Sequence, residues 1–397
     1  MGGRQRHIGT AERRARLALR QRLAVGARAT TPEEVARSLV ALHGTDPATV
    51  YLAVGARLAE ADNTVAEVGR ALYEDRTLTR MHGMRHTVFV FPAELAAVVH
   101  ASTGPANAAK ARAGLVKDMV AGSGGRLTEE WLREVESSAL AALARRGQAT
   151  VAELTKDEPR LKEQFTYAPG RSYESLHTVS SQLMRVLGVE GRVVRGRPLG
   201  AWTSSQFRWA VAPPHPDVPS DGAQAELLRR WLAVCGPATE ADLKWWTGWR
   251  VTEVRRALTA IAAATVTLDG GVTAYVTAAD EEPVAAPAEP WAALLPGLDP
   301  TAMGWQERDW YLAPDLRPAL FDGSGNVGPT VWWNGRVVGG WGQRPDGEVV
   351  WRLLETEGGG REAAAAIEAE AARLTSWLAG TRVTPRFRTP LEKELSR

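Results

Sequence analysis

An imidazole, a hydroxyl and a carboxylate fall within four residues at His43-Gly-Thr-Asp46. At that spacing the three groups can hold and polarise one water molecule. Histidine accepts a proton near neutral pH, and a neighbouring carboxylate orients the ring while favouring its charged form. The same residues also fit an ordinary interhelical turn, with Asp46 as N-cap and His43 at the surface. Two elements must position them. Val35, Leu39 and Leu42 recur at helical spacing and predict an amphipathic helix that runs up to His43 and is closed by Gly44. Asp46-Pro47, followed by Val50, Tyr51, Leu52, Val54 and Leu58, predicts the start of the next helix.

Upstream, residues 11–29 read as a basic helix bearing Leu17, Leu19 and Leu23, and Thr31-Pro32-Glu-Glu opens the helix that leads to His43. Further helices are predicted near 49–60 and 64–73. Thr77–Pro92 then reads as a two-stranded ribbon turning at His82-Gly83. Short helices closed by a β ribbon are the winged-helix pattern, a helix-turn-helix variant. The pattern recurs, with helices near 94–120, 128–146 and 150–154, another over Tyr173–Leu187, and strands Val189–Val194 and Leu199–Trp209. Beyond the proline-rich stretch Pro213–Pro219, a third round runs through helices near 224–234, 243–246 and 251–262. It ends in strands Ala264–Leu268 and Gly271–Val276 across Asp269-Gly270, a strong hairpin signal.

After the linker that begins at Glu281 the character changes to short strands (Val327–Trp333, Arg336–Trp341, Glu348–Leu354) with an Asn334-Gly335 turn, plus one helix at Arg361–Leu378. The expected fold is therefore α+β. Three tandem winged-helix domains are expected over 1–93, 94–212 and 222–278, and a C-terminal antiparallel β-barrel or sheet with a helix over 290–390.

Composition narrows the function classes. A chain of 397 residues, 44% hydrophobic and 24% charged, has the balance of a soluble globular protein with several domains. No apolar run is long enough for a membrane span, and the N-terminal residues lack the apolar core of a secretory signal, so a cytoplasmic location is expected. A single cysteine, Cys235, leaves no disulfide framework or multi-cysteine metal site, and the seven histidines show no ligand spacing. No glycine-rich phosphate loop is present, and no cofactor is expected. Net charge is only +2, but residues 1–40 hold nine arginines against three acids, a local patch suited to phosphates. Arginine also dominates the basic residues throughout, which either serves phosphate recognition or follows from a GC-rich genome.

Leu42-His-Gly-Thr-Asp-Pro-Ala-Thr-Val-Tyr-Leu-Ala-Val-Gly-Ala-Arg-Leu58 resembles the first-domain motif of the AlkZ/YcaQ-like winged-helix DNA glycosylases. Met81-His-Gly-Met-Arg-His-Thr-Val-Phe-Val-Phe-Pro92, Gly236-Pro-Ala-Thr-Glu-Ala-Asp-Leu-Lys-Trp-Trp-Thr-Gly248, Leu294-Leu-Pro-Gly-Leu-Asp-Pro300 and Gly335-Arg-Val-Val-Gly-Gly-Trp341 extend the resemblance over most of the chain. It implies a C-shaped, monomeric protein of winged helices and a β-barrel around duplex DNA. It also implies hydrolysis of the N-glycosidic bond of alkylated bases, bulky adducts included, in base excision repair or in self-resistance of antibiotic-producing bacteria. The family's catalytic motif, Gln–apolar–Gln or Gln–apolar–Asp, aligns with His43, Gly44 and Thr45, so both glutamines are replaced here.

On that resemblance, His43, Thr45 and Asp46 are the candidate catalytic residues, with either His43 or Asp46 as base. Arg14, Arg20, Arg192, Arg195, Arg208 and Arg308 are candidate DNA contacts, together with His82, Arg85 and His86 on the first ribbon. The expected substrate is double-stranded DNA carrying an N7-alkylguanine, whose positive charge makes the base a good leaving group. With no lysine near His43, hydrolysis without strand cleavage is expected. Two other classes compete: a binding-only protein that shields or senses adducts, and a winged-helix transcription regulator.

Overall fold

The computed structural model describes residues 6–62, 64–280, 282–355 and 359–397. Arg4 of the basic N-terminal stretch and Glu281 of the linker lie outside them. The chain forms two compact units, one made of Met1–Thr79, Val90–Ala93 and Gln224–Arg397, the other of Arg80–Phe89 and Glu94–Ala223. The sheets are small, antiparallel and open. Among the described residues no helix is long and apolar enough to cross a membrane, and no group of three or more His, Cys, Asp or Glu is placed to hold a metal ion.

In the larger unit the first helix is Thr10–Arg20, shorter than the expected 11–29. The chain leaves it through Arg22 at φ 60° and a single 3-10 turn, Val25–Ala27. The next helix, Pro32–Leu39, has the expected cap: Thr31 Oγ1 accepts from the Glu34 amide at 3.2 Å. It does not run on to His43, and Gly44 is not its cap. Val40 turns the chain at φ 64°, and Leu42–His43 forms a two-residue strand beside Val88–Pro92, with Leu78–His82 on the far side. Leu39, Val40, Ala41 and Leu42 are all buried, which one stripe of a helix cannot achieve for four consecutive residues. Helices Pro47–Gly55 and Thr64–Tyr73 follow, close to expectation.

The same unit holds the helix Ser220–Cys235 from Gln224 onward, helices Glu240–Thr247 and Val251–Ala260, and the hairpin Ala264–Thr267 with Thr273–Val276. Thr239 and Asp242 form a capping box. The buried Asp242 carboxyl also accepts the Gln306 and Glu307 amides at 2.9 and 2.8 Å.

Its last portion is a four-stranded sheet in the order Ala292–Leu295, Thr330–Trp333, Arg336–Gln343, Val349–Leu353. The sheet is open, so the barrel alternative is not what the chain builds. Helices Gly360–Leu378 and Pro390–Leu395 pack on it instead. The second helix comes so close that a Cβ at Gly340 would sit 2.7 Å from Leu391 Cδ2. Asn334 and Gly335 both have positive φ, 46° and 82°, as the primed turn of an Asn-Gly hairpin requires.

A fully buried ion pair fastens the interior of this unit. Arg57 and Asp299 are both fully buried. All five guanidinium N–H groups find acceptors: Asp299 Oδ2 and Oδ1 at 2.9 and 2.7 Å, Thr301 Oγ1 at 2.7 Å, and the carbonyls of Gln21 and Ala53 at 3.0 and 2.8 Å. Thr301 in turn donates to Gln21 Oε1 at 2.6 Å, and the Thr301 amide donates to Asp299 Oδ1 at 2.9 Å.

The smaller unit is built on helices Ala96–Gly122, Glu129–Arg146, Val151–Asp157 and Val179–Val189 around one apolar core, in which Leu132, Val135, Leu161, Val179 and Leu183 are wholly buried. The expected second ribbon is present as Val193–Pro198 and Phe207–Val211, joined by the edge strand Gln148–Ala149. The expected helix over Tyr173–Leu187 begins later. Ser175–Thr178 is a strand paired with Gln164–Tyr167, and Thr178 caps a helix that starts at Val179.

Removing one partner of a fully buried pair leaves the other charge without compensation, at a cost of about 3–5 kcal/mol. Asp299→Ala is therefore expected to lower the denaturant midpoint of the larger unit sharply. Asp309→Ala, which breaks an exposed pair with Arg317, should leave it nearly unchanged. Tryptophan fluorescence against urea measures both.

Candidate active site and DNA-contact residues

The strand Leu42–His43 delivers the chain into Gly44-Thr45-Asp46, and Asp46 starts the helix Pro47–Gly55. Asp46 is 7% exposed and both its carboxylate oxygens are engaged. Oδ1 accepts the Ala48 amide at 3.1 Å, as an N-cap does, and Oδ2 accepts the Arg386 amide at 3.0 Å. The turn is thus clamped to a segment 340 positions downstream. One turn into the helix, Thr49 Oγ1 donates to the Gly297 carbonyl at 3.0 Å, which ties the same segment to the loop that leads into Asp299. His43 and Thr45 stay partly exposed while Gly44 and Asp46 are buried. The arrangement sets two partly exposed residues beside a carboxylate held by two backbone amides, with the His43 Nδ1 atom itself buried. The Arg386 guanidinium adds a second, longer bond, Nη1 donating to the Thr45 carbonyl at 3.5 Å, and nothing in the sequence places this residue beside the turn.

The arginine candidates divide by what already holds them. Arg14 donates from Nε and Nη2 to the Trp310 carbonyl at 2.9 and 2.6 Å. Arg20 grips Asp280 through two bonds of 2.9 and 2.6 Å. Arg308 is buried, its guanidinium 5.2 Å from the Trp245 ring and 5.5 Å from Phe321. These three are occupied within the larger unit.

In the smaller unit, Arg192 pairs with Glu136, and Arg208 with Glu153 at 2.8 Å, both with their side chains more than a third exposed. Arg195 lies over Phe207 and Trp209, at 4.6 and 5.5 Å. Arg85 is exposed at φ 53°, in the turn between the strands of the first ribbon. His82 is packed against Gly188, and burial, with Arg195 second, pushes its pKa down to about 4. His86 is shifted the same way by burial and by Lys110 and Arg185.

Sequence reasoning missed a cleft in the smaller unit of about 500 Å³, lined by His86, Lys110, Tyr167, His177 and Arg185 among others. Its signal was the alternation in Gln164–Tyr167 and Ser175–Thr178 around Pro169-Gly170, a hairpin pattern that the helical periodicity after Val179 overshadowed.

Two measurements test this geometry. Asp46→Ala removes an N-cap and leaves the Arg386 amide without its acceptor, so a loss of about 2 kcal/mol is expected in a denaturant melt, with faster hydrogen exchange at the Ala48 and Arg386 amides. His82 has the opposite pH logic to a salt-bridged histidine. Its folded pKa lies below the ordinary 6.5, so the fold favours the neutral ring. The stability it contributes is complete above pH 6.5 and is lost as pH falls toward about 4. His82→Gln should flatten that part of the stability–pH curve relative to wild type, by up to ~3 kcal/mol.

Comparison with known proteins bears on what this arrangement serves. A family model described as "DNA glycosylase AlkZ-like" matches residues 36–377. Among solved structures, the Streptomyces sahachiroi DNA glycosylase AlkZ is similar at a TM-score of 0.71 and 21% identity, over 96% of this chain and 99% of that one. No curated protein matches. The structural likeness is one of fold.

Proposed function

The chain belongs to the AlkZ-like DNA glycosylase family, and from that premise we propose that it hydrolyses the N-glycosidic bond of bulky N7-alkylguanine adducts in duplex DNA. The observation that carries the reading is the clamped turn: Asp46 held by two backbone amides, with His43 and Thr45 partly exposed beside it.

Alkylation at N7 places a positive charge on guanine, so the C1′–N9 bond can break without protonation of the base. The protein then needs to place a water at C1′ and stabilise a cationic sugar. In this reading His43 takes the proton of the attacking water and Thr45 fixes the water's position. Asp46 is the positioning residue, because both its oxygens already accept hydrogen bonds. The products are the neutral alkylguanine and an abasic site. Strand cleavage, which needs an amine nucleophile, is not part of the proposal.

The segments 1–93, 94–212, 222–278 and 290–390 serve in this proposal as three winged-helix domains and a C-terminal sheet domain, acting as a monomer in the cytoplasm. Arg85, Arg192, Arg195 and Arg208 are proposed phosphate contacts, with His82 and His86 supporting the first ribbon. Arg14, Arg20 and Arg308 shape the larger unit's surface through the partners that already hold them. The adduct of a DNA-alkylating antibiotic is the proposed substrate, for repair or self-resistance. The replacement of both motif glutamines by His43 and Thr45 favours one rival, a protein that binds adducts without cutting them.

Duplexes carrying a single N7-alkylguanine, either methyl or a bulky intercalating adduct, separate these readings when abasic sites are cleaved with alkali after incubation. Wild type should release the bulky base. His43→Ala should slow release by about 10²-fold or more with DNA affinity retained, as loss of a general base does. Tight binding with no release from any adduct would instead establish the shield.

A further inference from the structure

The cleft of the smaller unit lies outside the chemistry proposed for His43. Its volume, about 500 Å³, lies in the range of small-molecule sites. The hairpin Gln164–Tyr167 with Ser175–Thr178 contributes Tyr167 and His177, whose rings are stacked with centroids 4.9 Å apart and planes 5° from parallel. Phe165 meets His177 edge-on at 5.9 Å and anchors the stack to the core.

Two cations enter from separate helices, Lys110 from Ala96–Gly122 and Arg185 from Val179–Val189. Both are exposed, and both lie near enough to His86 to disfavour its charged form, so they converge on one region of the cleft. Several other arginines of the unit are neutralised by carboxylates: Arg112 by Glu136 and Glu190, Arg126 by Glu163, Arg208 by Glu153. Among the described residues Lys110 and Arg185 form no ion pair, and Arg185 Nε donates instead to the neutral Gln182 Oε1 at 3.2 Å. The cleft has one acid, Asp118, against these two cations.

A stacked aromatic wall beside two uncompensated cations matches one ligand chemistry better than a purely apolar molecule or a bare anion. We propose that this cleft binds a nucleotide, its base extending the Tyr167–His177 stack and its phosphate held by Lys110 and Arg185. The nucleotide comes either free or as an unpaired residue of a nucleic-acid strand. The proposal does not depend on the chemistry at His43.

The full chain is titrated with fluorescent 1,N6-ethenoadenosine 5′-monophosphate and with its nucleoside. Competitors are unlabelled adenosine monophosphate, a blunt duplex, and the same duplex with a short single-stranded overhang. Saturable binding is expected, with the monophosphate roughly tenfold tighter than the nucleoside. Lys110→Gln with Arg185→Gln should erase that advantage, and Tyr167→Ala with His177→Ala should weaken both probes roughly tenfold or more. Displacement by the free nucleotide alone identifies a small-molecule site, and displacement by the overhang duplex but not the blunt one identifies a strand site; either supports the proposal.

Absence of saturable binding by every probe overturns it. So does binding unmoved by both pairs of substitutions, or equal competition by blunt and overhang duplexes. Thermal melting checks that each variant folds. If the aromatic pair fails to, the exposed charge pair decides the question alone. Base release from alkylated duplex, assayed on the same preparations, reports separately on His43.

Discussion

A buried guanidinium has to be answered completely or not at all, and Arg57 is answered completely. Its five donors reach two segments distant in sequence, the Asp299–Thr301 corner and the Gln21 carbonyl, and the Ala53 carbonyl one turn back. Coulomb attraction alone is poor compensation for taking both charges out of water, so the hydrogen bonds decide the balance. A network that tolerates no missing member also tolerates no sliding. The helix Pro47–Gly55, the end of Thr10–Arg20 and the loop before Pro300 are fixed against one another to within hydrogen-bond geometry. Thr49, on the same helix, repeats the tie through the Gly297 carbonyl. The turn at His43 inherits its position from this frame.

The turn itself is made by backbone as much as by side chains. Val40, a β-branched residue, is held at φ 64°, a conformation that costs on the order of 1–3 kcal/mol and persists where the surroundings over-determine it. Here the surroundings are the buried run from Leu39 to Leu42 and the strand Val88–Pro92. The result is that His43 leaves a strand rather than a helix end, and the chain reaches Asp46 already extended, as an N-cap residue must be.

Much of this was legible in the sequence wherever a local signal and the final structure agree. Thr31-Pro32 and Asp46 each start a helix where their side chains predicted, and Asn334-Gly335 turns the hairpin it announces. The failures share one cause, which is that distant partners override local periodicity. Leu39 to Leu42 reads as helix until Val88–Pro92 offers a strand. Tyr173–Leu187 reads as one helix until Gln164–Tyr167 claims its first residues. Two of the five stretches that carry the resemblance contain Arg57 and Asp299, and one sequence gives no sign that the two charges meet. The candidate catalytic trio was visible as residue types. The division between an anchored carboxylate and two partly exposed groups was not, because it depends on an amide at Arg386.

That amide has a consequence for how the protein comes to life. Asp46 is synthesised early, and the group that completes its carboxylate's hydrogen bonding leaves the ribosome 340 residues later. Until then the first helices can form and the Thr31 and Asp46 caps can close locally, but the turn at His43 lacks its second restraint. A nascent chain therefore carries its candidate chemistry in an unfinished state while the surrounding domain is still being made. The turn is therefore complete only once the segment around Arg386 has been made.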